Sequence, residues 1–212
     1  MRSAFTSEAV ERYLYALLPR RDAVLAEMEA YAARHDVPIV GPAVGRLLAL
    51  LVRISGARRI FEMGSAIGYS TLWLARAAGP RAEVYYSDGD PENARRARRS
   101  FEQAGVAGRI SILTGDSLAL LRKAPGRFDL IFCDVDKHQY PAAFRIAVRK
   151  LRRGGLLVAD NTLWFGRAAR KARPGDRDTR GIQKFNRLLY SSTSLFPVLI
   201  PLRDGVAVAR KK

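Results

Sequence analysis

Between residues 59 and 160, short apolar runs alternate with amphipathic stretches, and this alternation limits the fold more than any other feature of the chain. The runs RIFEMG (59–64), EVYYSD (83–88), RISILTG (109–115), DLIFCD (129–134) and GLLVAD (155–160) have the length and branching of strands. Helical segments at 69–79, 91–104, 117–123 and 139–151 lie between them. Strand-then-helix units in succession demand a parallel, doubly wound sheet with helices on both faces. The tail breaks the rule. PVLIPL, a turn at Arg203-Asp204-Gly205 and VAVAR read as a β-hairpin, so the sheet should end in an antiparallel pair. Upstream, residues 8–35 place apolar side chains at helical spacing, interrupted at Pro19, and Val44–Ile54 does so again after the connector VPIVGP (37–42). The expectation is one domain: a helical cap at 1–55 on an α/β core at 56–212.

Composition adds limits. No apolar stretch approaches the roughly 20 residues of a membrane span. The start, MRSAFTSEAVERYLY, carries acidic residues and no apolar h-region, so no signal peptide is expected. The one cysteine, Cys133, lies inside an apolar run and has no internal partner, which favours a cytoplasmic protein. Net charge is +17, which invites an anionic partner such as nucleic acid. Yet 30 of the 37 basic residues are Arg, so a compositional bias accounts for the charge equally well.

The strand ends carry the chemistry. In a parallel sheet the carboxyl ends of strands open onto the ligand crevice, and here they hold costly charged groups. The fourth run ends in Asp134, Asp136 and Lys137, and the fifth in Asp160-Asn161. After the first run, EMGSAIGYS places Gly64 and Gly68 around a strand-to-helix turn, where glycine lets the backbone approach a ligand closely. Helix–sheet packing would explain those glycines too. Asp88, ending the second run, stands where a nucleotide-binding sheet carries the acid that accepts ribose hydroxyls. A dinucleotide fits poorly. The G-S-A-I-G spacing lacks a third phosphate-cradling glycine, and the carboxylate of Glu62 would repel a pyrophosphate. That carboxylate suits S-adenosylmethionine, whose sulfonium and ammonium are cationic.

EMGSAIGYSTLWLA, DVDKHQY, GGLLVADNTLW and PLRDGVAVARK, in that order, resemble the metal-dependent, S-adenosylmethionine-dependent O-methyltransferases of the catechol and caffeoyl-CoA type, over nearly the whole chain from about residue 10. The resemblance implies a Rossmann-like class I methyltransferase fold, a seven-stranded, mostly parallel sheet with the last strand antiparallel, and a homodimer. It implies Asp134, Asp160 and Asn161 as ligands of a divalent metal, and Lys137 with Asp134 as the catalytic pair. Cofactor contacts fall on Val40, Glu62, Gly64, Ser65, Ser70, Asp88, Ser117 and Asp136. The N-terminal YLYALLPRRDAVLAEMEAYAARHDVPI further resembles bacterial members, one subgroup of which methylates 5-hydroxyuridine in tRNA. Two positions depart from the family pattern. Gly89 replaces a larger side chain beside the ribose-binding acid, and Phe165 stands where the plant enzymes place a polar substrate contact.

All-oxygen ligation suits a hard cation, Mg²⁺ first, with Mn²⁺ or Ca²⁺ as alternatives. Lys137 beside such a cation should have a depressed pKa and could take a hydroxyl proton. Asp136 would hold the cofactor's amino group or pair with Lys137, and His35 and His138 read as surface residues. The segment 166–181, with six basic residues against two acidic, should overhang the substrate mouth and favour an anionic acceptor. The expectation is a metal-dependent O-methyltransferase acting on a catechol-like small molecule with neighbouring oxygens. The alternatives are a tRNA 5-hydroxyuridine O-methyltransferase and a non-catalytic RNA-binding protein on the same fold.

Overall fold

The computed structural model describes residues 7–212. Three helices come first, α1 (Glu8–Ala16), α2 (Ala23–Arg34) and α3 (Gly41–Ser55). Strands and helices then alternate as β1 (Arg59–Met63), α4 (Tyr69–Ala78), β2 (Glu83–Asp88), α5 (Pro91–Gln103), β3 (Ile110–Thr114), α6 (Ser117–Lys123), β4 (Phe128–Cys133), α7 (Tyr140–Lys150), β5 (Leu151–Ala159) and α8 (Arg177–Ser191). β6 (Leu195–Ile200) and β7 (Val206–Lys211) close the chain as the expected hairpin, with Ile200 opposite Val206. The seven strands lie in the order β3-β2-β1-β4-β5-β7-β6, and β7 runs antiparallel to both neighbours.

The centre of the sheet is buried on both faces, and its side chains alternate between two cores. Leu130 and Phe132 of β4 face α2–α5, while Ile131 and Cys133 face α6–α8. A strand buried on both faces reads as a continuous apolar run, which is why β4 was conspicuous. Chain order reverses between β1 and β4, so the helices after them leave on opposite sides and open a crevice at the strand ends.

Two boundaries differ from expectation. β5 begins at Leu151 and not at Gly155, so Arg152 and Arg153 belong to the strand, and Arg152 pairs with Asp129. Residues 166–181 are only partly loop, because α8 starts at Arg177 with Asp176 capping the amide of Thr179 at 3.0 Å. The helix was legible in Ile182, Phe185 and Leu189, its fully buried face, but its many charges hid that stripe.

Candidate active site

A cavity of about 820 Å³ opens at this switch point. It brings together Val40, Gly64, Ser65, Ser70, Asp88, Ser117, Asp134, Asp136, Lys137, Asp160 and Asn161. Glu62 is the exception. It lies beneath the cavity, fully buried, with Thr71 donating to one carboxylate oxygen; the hydroxyls of Ser70 and Ser65 lie near the carboxyl and favour its charged form, though Oε1 has no hydrogen bond of ordinary geometry.

The turn after β1 is knit to β2. The amides of Gly64 and Ser65 both donate to the Ser87 carbonyl (3.1 and 3.0 Å), that of Ala66 to Asp88 Oδ2 (2.8 Å), and that of Gly68 to Ser65 (2.8 Å). A phosphate cradle needs such donors free and aimed at the ligand; here four are already taken, which argues against a dinucleotide. Asp88 also accepts from the Asp90 amide (2.9 Å) and Asn93 Nδ2 (3.1 Å) through Oδ1. A carboxylate offers about four acceptor positions, so room remains for a ligand hydroxyl.

The glycines are required by packing, the second of the two explanations that the sequence left open. Gly64 and Gly68 adopt φ of 80° and 83°. A Cβ on Gly64 would stand 2.5 Å from the Asp134 carbonyl oxygen, and one on Gly68 2.6 Å from the Phe101 ring. Contact with the protein itself, not only with a ligand, excludes larger residues. Gly89 is different: a Cβ there would meet nothing within 4 Å, so the cavity is open on that side.

At the ends of β4 and β5 the charges interlock. Lys137 Nζ donates to Asp134 Oδ1 at 2.7 Å and to the Val135 carbonyl at 3.1 Å, so its partner is Asp134 and not Asp136. Burial alone would pull the Lys137 pKa down, but the Asp134 carboxylate, aided by Asp160, outweighs it and the net shift is upward. That direction is opposite to the one expected beside a cation, because two carboxylates are the nearest charges. Asp160 is buried, and burial together with repulsion from Asp134 raises its pKa. Its Oδ1 has no hydrogen-bond partner, while Oδ2 accepts from Arg203 Nη1 at 3.2 Å. Among the described residues there is no group of three or more His, Cys, Asp or Glu side chains placed to hold a metal. The donors here are two carboxylates and the Asn161 amide, and the orphaned Oδ1 fits a hard cation better than it fits a dry core.

The sequence reading missed two residues of this site. Asp204, read only as part of a hairpin turn, is buried and accepts from Asn161 Nδ2 (3.3 Å) and the Phe165 amide (2.5 Å). Arg203 reaches Asp160 from the same turn. Around them Asn161, Trp164, Phe165 and Arg203 all adopt positive φ, between 47° and 54°. Such backbone costs free energy in non-glycine residues and persists only where surrounding contacts impose it. Trp164 and Phe165 form an aromatic wall, ring centroids 5.3 Å apart, on the cavity. Of residues 166–181, the cavity lining includes Asp178 and none of the six bases, and of those bases Arg167 stands beside the wall, 6.0 Å over the Trp164 ring. Asp178 holds His138 through its amide at 3.1 Å.

Glu62 yields a test. Burial pushes its carboxyl from 4.5 to about 7. A folded pKa above the unfolded one means that its contribution to stability is fully present below about pH 4.5 and is lost as pH rises towards 7. The loss should be on the order of 3 kcal/mol by pH 8. Glu62→Gln, which does not titrate, should therefore be more stable than the parent at pH 8 and lose that advantage at pH 4. Denaturant melts at the two pH values would show it; an advantage independent of pH would refute the assignment.

A family model described as O-methyltransferase matches residues 19–212. The chain is 31% identical over 213 residues to a catechol O-methyltransferase of Niastella koreensis, covering 95% of this chain and 96% of that one. It is 36% identical over 190 residues to a putative O-methyltransferase of Mycolicibacterium smegmatis, covering 89% and 90%. Among solved structures, the Bacillus cereus O-methyltransferase in complex with SAH superposes with a TM-score of 0.88 at 31% identity, covering 96% and 97%. TomG from Streptomyces achromogenes, an O-methyltransferase involved in tomaymycin synthesis and solved with SAM, gives 0.87 at 29% identity, covering 96% of both chains.

Proposed function

This chain belongs to the S-adenosylmethionine-dependent O-methyltransferase family, and from that premise we propose that it methylates a hydroxyl of a catechol-like small molecule with the help of a divalent cation. One observation carries the reading: Asp134, Lys137, Asp160 and Asn161 converge on a cavity walled by Trp164 and Phe165 and continuous with Asp88. An aromatic acceptor would lie against the Trp164–Phe165 wall with its oxygens towards the strand ends.

S-adenosylmethionine would lie along Gly64, Ser65 and Asp88, its ribose on the remaining acceptor position of Asp88. Glu62 beneath supplies a carboxylate whose unpaired oxygen suits a cationic ligand, with Ser65 and Ser70 between, and Asp136 stands exposed on the rim. Val40 and Ser117 bound the cofactor space, Ser117 already tied to the Ser87 carbonyl at 3.2 Å. Asp134, Asp160 and Asn161 would hold the cation, Mg²⁺ or Mn²⁺ by donor type. When bound, the cation lowers the pKa of a neighbouring hydroxyl and orients it. Lys137 Nζ, held by Asp134, is placed to receive the hydroxyl proton once its own has left. The Asn161 Nδ2 bond to Asp204 occupies the amide nitrogen and leaves the amide oxygen as the group that would serve the cation. Holding the two reactants in line supplies roughly 7–11 kcal/mol of the barrier in favourable cases.

A homodimer is part of the proposal. Val10, Tyr13 and Leu14 of α1, Leu17 just after it, and Leu50 and Ile54 of α3 are exposed apolar side chains that a second copy would cover.

Incubation with methyl-labelled S-adenosylmethionine and either a catechol panel or bulk tRNA, read by mass spectrometry, tests the acceptor. Label should appear on catechols. Label on a tRNA uridine alone would replace this reading with the tRNA one. RNA binding without transfer to either acceptor would favour the non-catalytic protein.

A further inference from the structure

Arg203 sits at φ 54°, a conformation that glycine would adopt freely and that an L side chain pays for with strain. What holds it there is a buried fork. Nη1 donates to the Val40 carbonyl at 3.0 Å and to Asp160 Oδ2 at 3.2 Å, and Nη2 donates to the Ile39 carbonyl at 2.9 Å. The side chain is 8% exposed and that of Asp160 1%. Three acceptors from two distant parts of the chain thus converge on one planar group. The connector between α2 and α3, which borders the cofactor space, is fastened to the end of β5 through it.

The charge matters as much as the fork. Asp134 and Asp160 would present two negative charges to a cation, yet each already has a protein cation against it, Lys137 and Arg203. Lysine can lose its proton; a guanidinium in a protein does not. Arg203 therefore stays as a fixed positive charge on Oδ2, and turns the carboxylate so that only the unpartnered Oδ1 remains to be shared.

We propose that Arg203 is a positioning residue that tethers Asp160 to the 37–40 connector and, by its fixed charge, lowers the affinity of the Asp134–Asp160–Asn161 donors for a divalent cation. The inference rests on the reading of those three residues as a cation site.

Mn²⁺ titration of the full-length protein, followed by calorimetry and by the Mn²⁺ electron paramagnetic resonance signal, separates the possibilities. Arg203→Gly suits the backbone and removes the charge; it should bind Mn²⁺ more tightly, by on the order of tenfold or more. Arg203→Lys keeps the charge but lacks the fork, so its affinity should stay near that of the parent. In both variants the amides at 39–41 should exchange hydrogen faster. Equal or weaker Mn²⁺ binding by folded Arg203→Gly overturns the charge role, and unchanged exchange in both variants overturns the tether. Asp134→Asn in the parent is the control on the underlying site. If Mn²⁺ binds and Asp134→Asn abolishes the binding, the site reading holds whatever Arg203 does. If Mn²⁺ does not bind, or binds equally after Asp134→Asn, the site reading falls and this inference with it.

Discussion

Methyl transfer should stop in excess chelator and return when Mg²⁺ or Mn²⁺ is added back in excess, while binding of S-adenosylhomocysteine persists. Stabilisation of a developing oxyanion by a cation is worth several kcal/mol, and each 1.36 kcal/mol is tenfold in rate, so the loss should be on the order of 10³-fold. Asp160→Ala should reproduce the loss without chelator. Its carboxylate is the most deeply buried of the three donor side chains and has a buried oxygen left without a hydrogen-bond partner. Asn161→Ala should cost less, since an amide contributes no net charge. Initial rates with and without chelator, alongside calorimetric titration of S-adenosylhomocysteine, check both halves. Undiminished turnover in excess chelator would end the metal-dependent reading and leave Lys137 with Asp134 as the machinery to be explained.

The second large effect is at Lys137. Replacement by Ala should lower the rate by roughly 10²–10⁴-fold, the usual range for a general base, with cofactor affinity nearly unchanged. Arg is the informative substitution. It keeps the positive charge beside Asp134 but does not give up a proton in a protein, so Lys137→Arg should be about as inactive as Lys137→Ala. If Lys137 served only to neutralise Asp134, the Arg variant would retain most of the activity. The acidic limb of the pH–rate profile carries a further check. The Asp134 and Asp160 carboxylates hold the Lys137 pKa above its ordinary value when no cation is present. Binding of a divalent cation opposes them, so raising its concentration should move that limb to lower pH.

The chemistry at the strand ends was legible because it is local. An apolar run that ends in Asp134, Asp136 and Lys137 states its own position: the run must be buried, and the charges must lie where the strand emerges. Asp160-Asn161 and Asp88 follow the same logic. Glu62 was legible as a carboxylate out of place beside a phosphate loop, though not as a fully buried residue beneath the cavity lining. The glycines of the turn were read for their freedom near a ligand. Their contacts with Asp134 and Phe101 needed β4 and α5 in place, which lie far along the chain.

Arg203 and Asp204 mark the other limit. A hairpin turn with charged residues is the commonest of surface features, and although PLRDGVAVARK carried part of the family resemblance, nothing in it shows that Arg203 and Asp204 turn inward to the site. Their meaning depends on β7 docking against β5, a pairing that sets the 203–205 turn over residues 160–165 and carries Arg203 to the carbonyls of Ile39 and Val40. The basic segment shows the same limit, since its charges drew attention to the bases while packing of α8 brought the acid Asp178 to the cavity lining. The order of strands and helices, and the residues at the ends of the parallel strands, follow from periodicity and burial, which each short segment carries in itself. Which distant loop closes the site, and which charge ends beside which carboxylate, was decided only in the tertiary structure, because those contacts join positions up to 164 residues apart whose proximity no local pattern encodes.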